Sequence, residues 1–277
     1  MASQPAARIG QCGVEKSGNY LLYRVLRTAM ERAGTFHSHA ARSGCWDSLF
    51  QLDAIPLSFP EQRDLDEAEV HEHQVYARNS HLKARFAVRD LERFDREAAL
   101  LWTHQAPLAD HDALLGAERR WLYLIRDGRD VVNSWIHYAT SPRMRARHPE
   151  YTADTPEALY ANTAYFEKSV DRWARHVEAY LERADRYALV RYEDLARDRA
   201  GEIARLTRFA GLEGDVDVAE LAAHVAPERT RADAPNHVRR AGVGDWRRHF
   251  GPEHEAIYRE RTRAVLDALP VPEYREW

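Results

Sequence analysis

Cys12-Gly-Val-Glu-Lys-Ser-Gly-Asn-Tyr-Leu-Leu22 is the stretch on which the reading of this 277-residue chain turns. A candidate strand over residues 8–12 leads into it, and a helical pattern over residues 19–33 leads out. A small-residue turn between a strand and a helix aims several backbone N–H groups one way at the helix start. The helix dipole favours negative charge at the same point. Lys16 adds a mobile cation inside the turn. The stretch reads as a phosphate cradle.

Spacing separates two forms of cradle. The nucleoside-triphosphate loop, G-x-x-x-x-G-K-[ST], almost fits residues 10–17, but Glu15 stands at the second glycine and would face the phosphates with a carboxylate. Starting the frame at Gly13 restores the second glycine as Gly18. Asn19-Tyr20 then replaces Lys-Ser/Thr, and Lys16 lies inside the loop.

Composition bounds the rest. With 44% hydrophobic and 30% charged residues, the chain can form one large α/β domain over residues 1–277, with residues 35–97 as an acceptor-binding insertion. A net charge of −4 argues against a general nucleic-acid binder. Two cysteines, Cys12 and Cys45, give no disulfide framework and fit a reducing compartment. Met1-Ala-Ser-Gln-Pro5 lacks a signal-peptide layout, and no apolar run has membrane length. The expectation is a soluble cytoplasmic enzyme without a membrane span.

Residues 33–97 are polar, with an acidic run over 64–72, and are expected to form short helices and loops over the nucleotide domain. Buried-strand patterns appear at 98–103, 121–125 and 187–191, with a brief helix over 108–115. Helices are expected at 128–138, from Thr155-Pro-Glu157 through the stripe Phe166, Val170, Trp173, Val177 and Tyr180, and at 194–210, 218–225 and 253–269. The alternation predicts an α/β fold with a central parallel β-sheet flanked by helices.

Further anchors follow. Arg126 ends the strand over 121–125, where parallel sheets bind ligands, and Ser134 lies eight residues on in the next helix. Arg239-Arg-Ala-Gly-Val-Gly-Asp-Trp246 is a basic, glycine-rich stretch, and Tyr192-Glu-Asp-Leu195 follows a strand. His104, in Trp102-Thr-His-Gln-Ala-Pro107, stands at a strand end, and imidazole suits proton removal near neutrality. His37, His39, His71, His73 and His81 have no metal-ligand grouping and are expected on the surface or in an acceptor pocket.

These stretches, in this order, resemble the nucleotide signatures of the cytosolic-type sulfotransferases, which have a P-loop-like fold and use 3′-phosphoadenosine 5′-phosphosulfate (PAPS). The resemblance implies that Lys16, Ser17, Gly18, Asn19 and Tyr20 hold the 5′-phosphosulfate. It assigns the 3′-phosphate to Arg126, Ser134, Arg239, Arg240 and Ala241, and places Tyr192 and Thr230 near the base. Its catalytic set is Lys16, His104 and Ser134: His104 would be the general base and Lys16 would follow charge onto the leaving phosphate, with no metal required. Arg129 and Asp130 fit the pattern as a structural salt bridge.

Five positions depart from the family pattern: Glu15 for proline, Asn19 for threonine, Trp102 for a lysine near the sulfuryl group, Gly128 for proline, implying a looser turn, and Ala241 for glycine. The acceptor, a small-molecule or glycan hydroxyl and less readily an amine, is left open, as is oligomeric state. The rival readings are a Mg-dependent P-loop kinase of a small hydroxyl substrate and a non-catalytic nucleotide binder.

Overall fold

Strand β6 (Arg120–Ile125) shows why the interior has two sides. Trp121, Tyr123 and Ile125 face one buried cluster, and Leu122 and Leu124 face the other, as a period-2 strand covered on both faces requires. The computed structural model describes residues 7–52, 56–107, 115–116, 118–148, 153–235, 240 and 242–277. The expected helix over 108–115 falls almost entirely outside them.

Around β6 lie β1 (Ile9–Cys12), β5 (Leu100–Thr103) and β7 (Tyr187–Arg191). The seven-stranded sheet, in which β2 is Asp66–His71, β3 is Gln74–Asn79 and β4 is Ala84–Ala87, has the order β4-β3-β2-β5-β1-β6-β7. Its five strands from β2 to β7 run parallel. Helix α1 (Asn19–Arg32) packs Leu22, Val25 and Leu26 against one face. The α8 stripe of Phe166, Val170, Trp173 and Val177 (α8 is Thr163–Leu181) covers the other.

The structure corrects the reading of residues 33–97. Besides short helices α2 (His39–Ser43), α3 (Asp47–Leu52) and α4 (Leu91–Glu97), this region contains β2 (Asp66–His71), β3 (Gln74–Asn79) and β4 (Ala84–Ala87). β3 and β4 pair antiparallel, and β2 joins the parallel sheet beside β5. The acidic run hid β2: Asp66 and Glu67 are buried by their neighbours and read as solvated only when taken alone.

Two expected helices are each split. Asn162 accepts a hydrogen bond from Tyr165 N and starts α8 anew after α7 (Pro156–Tyr160). Asp198 does the same with Gly201 N between α9 (Tyr192–Arg197) and α10 (Arg199–Phe209). Between β6 and β7 lie α5 (Gly128–Ala139) and α6 (Pro142–Arg147); after α10 come α11 (Val218–His224), α12 (Pro227–Asp233) and α13 (Pro252–Ala268). Among the described residues no helix is long and apolar enough to cross a membrane.

Candidate active site

The loop between β1 and α1 is held in shape from within. Asn19 is buried, and its Nδ2 donates to Gly13 O at 3.3 Å and Val14 O at 2.8 Å, while Gln11 Nε2 donates to Asn19 O at 3.0 Å. The Asn19 side chain thus braces the loop from within, and Asn19 also lines the cavity described below. Gly18 has φ of 100°, and a Cβ there would meet the Tyr192 ring at 2.4 Å. Lys16 also has a positive φ, 73°, unusual for a side-chain-bearing residue and typical of strained functional turns.

Lys16 Nζ sits 3.2 Å from the Tyr138 ring centroid. Burial lowers its pKa to about 7, opposed by the charge of Glu15 and reinforced by that of Arg143. Glu15 turns to an ion pair with Arg172 on α8. Burial opposes its ionisation, yet the charge of Arg172 and a backbone N–H of the loop hold the carboxyl below its ordinary range. The proline-to-glutamate departure is thereby neutralised from another element.

Arg126 links the anchors. Its Nη1 donates to Lys16 O at 3.1 Å and its Nη2 to Gly242 O at 2.8 Å, and the guanidinium lies 4.4 Å from the Tyr192 ring centroid. Asp130 accepts from Gly244 N and Trp246 N and lies 3.7 Å from Arg126, so it fastens the glycine-rich stretch to α5. The expected Arg129–Asp130 pair is not formed: Arg129 pairs with Asp127 instead. Nor is the turn at Gly128 loose. A Cβ there would meet Tyr258 Oη at 2.4 Å and the Trp173 ring at 2.6 Å, so the backbone itself packs on the core.

A cavity of about 870 Å³ runs along these parts. Lys16, Gly18, Arg126, Ser134, Tyr192 and Arg240, all expected around the nucleotide, are among the residues that line it. Arg240 also pairs with Asp245 at 2.6 Å, and Thr230 lines the cavity while its hydroxyl donates to Val225 O at 3.2 Å. Tyr20 packs against Phe59 with the rings tilted and donates to Glu61 at 3.1 Å. Arg239 and Ala241 lie outside the described residues.

Sequence reasoning missed Arg172, which carries no local signal because it pairs with Glu15 from 157 residues away. It also missed Arg199, whose Nε is buried without a hydrogen-bond partner among the described residues, as are Ser17 Oγ and Arg126 Nε. Buried donors left open around one cavity fit a polyanionic ligand.

His104 stands where the two ends meet. Trp102 Nε1 donates to His104 Nε2 at 3.2 Å, and the other ring nitrogen, Nδ1, lies 3.0 Å from Gly13 O. Those partners specify the neutral tautomer protonated on Nδ1. Beneath it, His176 Nε2 lies 3.3 Å from His104 O, and Tyr123 Oη lies 2.8 Å from His176 Nδ1. Burial lowers the His176 pKa to about 4, so it is a neutral scaffold group. Among the described residues no group of three or more His, Cys, Asp or Glu is placed to hold a metal ion.

Residues 12–270 match the family described as Sulfotransferase domain. This chain belongs to the sulfotransferase family. Rat sulfotransferase 2A1 is 24% identical over 159 residues, which are 50% of this chain and 53% of that protein. Rat sulfotransferase 1C2 is 26% identical over 165 residues, 51% and 54% of the two chains. The chain thus spans about half the length of these curated relatives. Mouse sulfotransferase SULT7A1, solved in complex with PAP, superposes with a TM-score of 0.59 at 15% identity, covering 98% of this chain and 89% of that one. Retinol dehydratase with androsterone and the inactive cofactor PAP gives 0.50 at 16% identity, covering 93% and 80%. These likenesses establish the P-loop-like sulfotransferase fold, with two antiparallel strands added at one edge.

Proposed function

We propose that this protein transfers a sulfuryl group from PAPS to an acceptor hydroxyl. The observation that supports this most is the position of Arg126, joined at once to the first loop and to the glycine-rich stretch. One guanidinium at that junction, flanked by Ser134 and Arg240 along the cavity, suits the 3′-phosphate. The loop N–H groups and Lys16 suit the 5′-phosphate some distance away. That SULT7A1 and retinol dehydratase were each solved with PAP supports the same reading.

PAPS supplies the sulfuryl group: the acceptor oxygen bonds to sulfur, the bridging S–O bond breaks, and its electron pair goes to the 5′-phosphate. In this reading Lys16 leaves the Tyr138 ring and places its ammonium against that oxygen. His104 takes the acceptor proton on Nε2, the nitrogen now covered by Trp102 N–H, so the acceptor hydroxyl must replace that contact. Gly13 O keeps Nδ1 protonated and the ring oriented. A phosphoryl-transfer reading gains nothing from the site, since Glu15, the acid nearest Lys16 in the loop, is committed to Arg172.

PAP is expected to raise the melting temperature in the presence of chelator, and adenosine 5′-phosphate to raise it far less. Equal shifts would remove the 3′-phosphate role of Arg126. His104→Ala is expected to lower turnover at least 10³-fold while PAP affinity stays within about threefold; a variant retaining turnover would assign the proton elsewhere.

A further inference from the structure

Beyond Trp102 one wall of the cavity carries a continuous row of side chains. Trp102 on β5 is in register with Glu67 on β2, Glu67 with Arg78 on β3, and Arg78 with Arg85 on β4. Residues directly opposed on neighbouring strands point to the same face, and all four line the cavity. Glu69, two residues along β2 from Glu67, joins them. With strands about 4.8 Å apart, the three gaps carry the row about 14 Å from the reactive end. That is longer than a single pyranose ring.

The chemistry of the row is unlike the apolar wall that a flat hydrophobic alcohol would need. Glu67 and Glu69 only accept hydrogen bonds, whereas Arg78 and Arg85 only donate them. Arg78 bridges both acids, pairing closely with Glu69 and lying 3.7 Å from Glu67, while Arg85 reaches Glu69 at 3.7 Å. Ser80 N donates to Glu67 at 3.0 Å and fixes that buried carboxylate in place. Two acids against two guanidiniums leave the row without a net charge to select an ion. A hydroxyl both donates and accepts, so neighbouring hydroxyls can bridge each carboxylate–guanidinium pair. Trp102 closes the reactive end: its indole is buried, stacked on Phe59, and donates through Nε1 to His104.

We propose that the β5-β2-β3-β4 row is an acceptor subsite for a polyhydroxylated, saccharide-type molecule of at least two rings, one hydroxyl of which reaches His104. The proposal rests on the sulfuryl-transfer reading above and names its acceptor class. Antiparallel β3 and β4 are then the specificity device: they extend the sheet beyond the strands that build the nucleotide site, and they bring two of the four rungs.

The test uses the intact protein with labelled PAPS and four acceptors: lactose, glucose, 4-nitrophenol and a 3β-hydroxysteroid. Lactose is expected to have a kcat/KM at least tenfold above each of the others. Arg85→Ala, at an exposed position where folding is not at stake, is expected to raise the lactose KM at least fivefold and to leave PAP affinity within twofold. A phenol or steroid that matches lactose overturns the subsite. So does a protein that binds PAP but neither turns over nor, by saturation-transfer NMR, contacts either sugar. Lactose contact that Arg85→Ala abolishes, in a protein that does not bind PAP, overturns the nucleotide reading and leaves the saccharide subsite standing.

Discussion

At the nucleotide end of the cavity, groups from distant elements converge on a single residue: Arg126 on the β6 end touches Lys16 O of the first loop, Gly242 O of the C-terminal stretch and the Tyr192 ring after β7. At the acceptor end, the lining side chains come from adjacent strands and meet across the pleats, as Arg78 meets Glu67 and Glu69. Phosphate recognition needs fixed backbone shapes and residue types at set spacings, so it leaves motifs. The proposed acceptor row needs only that residues of suitable polarity share one face of a sheet, which a strand can satisfy with many sequences.

If that contrast holds, damage at the convergence point should be the most costly. Arg126→Ala removes two carbonyl contacts and a charge from the proposed phosphate site, and PAP affinity is expected to fall by two to three orders of magnitude, about 3–4 kcal/mol, in calorimetry. Arg126→Lys should rescue little, because an ammonium lacks the planar fork that spans both carbonyls. A lysine variant with wild-type affinity would break the comparison.

His176 tests the seam beneath His104. Its folded pKa, about 4, lies below the ordinary value of 6.5, so the unfolded chain takes up a proton first as pH falls. Stability from this group is complete above pH 6.5 and is lost as pH drops towards 4, by roughly 3 kcal/mol in total. Denaturant melts of wild type and His176→Gln should therefore diverge across that window, with the variant falling less steeply. Parallel curves would assign the acid loss to other groups.

Lys16 gives a smaller effect that separates the two ends. Its pKa of about 7 means that PAP affinity should be flat below pH 7 and weaken by close to tenfold per unit above it, until the lysine in the complex titrates. Lys16→Arg should flatten the profile between pH 7 and 9. A flat wild-type profile in isothermal titration would remove Lys16 from the phosphate contact.

The smallest effect concerns the Glu15–Arg172 pair. Arg172→Ala leaves a carboxylate uncompensated beside the phosphates, and PAP affinity should fall about fivefold, with Glu15→Gln restoring most of it in the double variant. Additive losses would mean that the pair does not act through the loop.

Particular residues show how far the sequence could be read. Gly13, Gly18 and Lys16 were legible because a cradle needs small residues and a cation at those positions, and α1 begins where Asn19 predicts. Asn19 was legible as the start of α1, whereas the bracing by its amide was not, because that follows from burial and the nearness of two carbonyls. Asp66 and Glu67 read as a solvated run, and only pairing with β5 and β3 shows them to be an interior strand.

Alone, the sequence determined the strands from β5 onwards and the main helices after them, though not α6, α12 or the breaks before α8 and α10, together with the strand–turn–helix around Lys16 and the strand-end positions of Arg126 and His104, since each follows from local periodicity or from a short motif with its own physical need. Tertiary structure decided that Arg172 neutralises Glu15, that Trp102 covers His104 Nε2, and that Trp102, Glu67, Arg78 and Arg85 form one row. Those facts depend on strand register and on contacts between residues far apart in the chain, which local sequence does not encode.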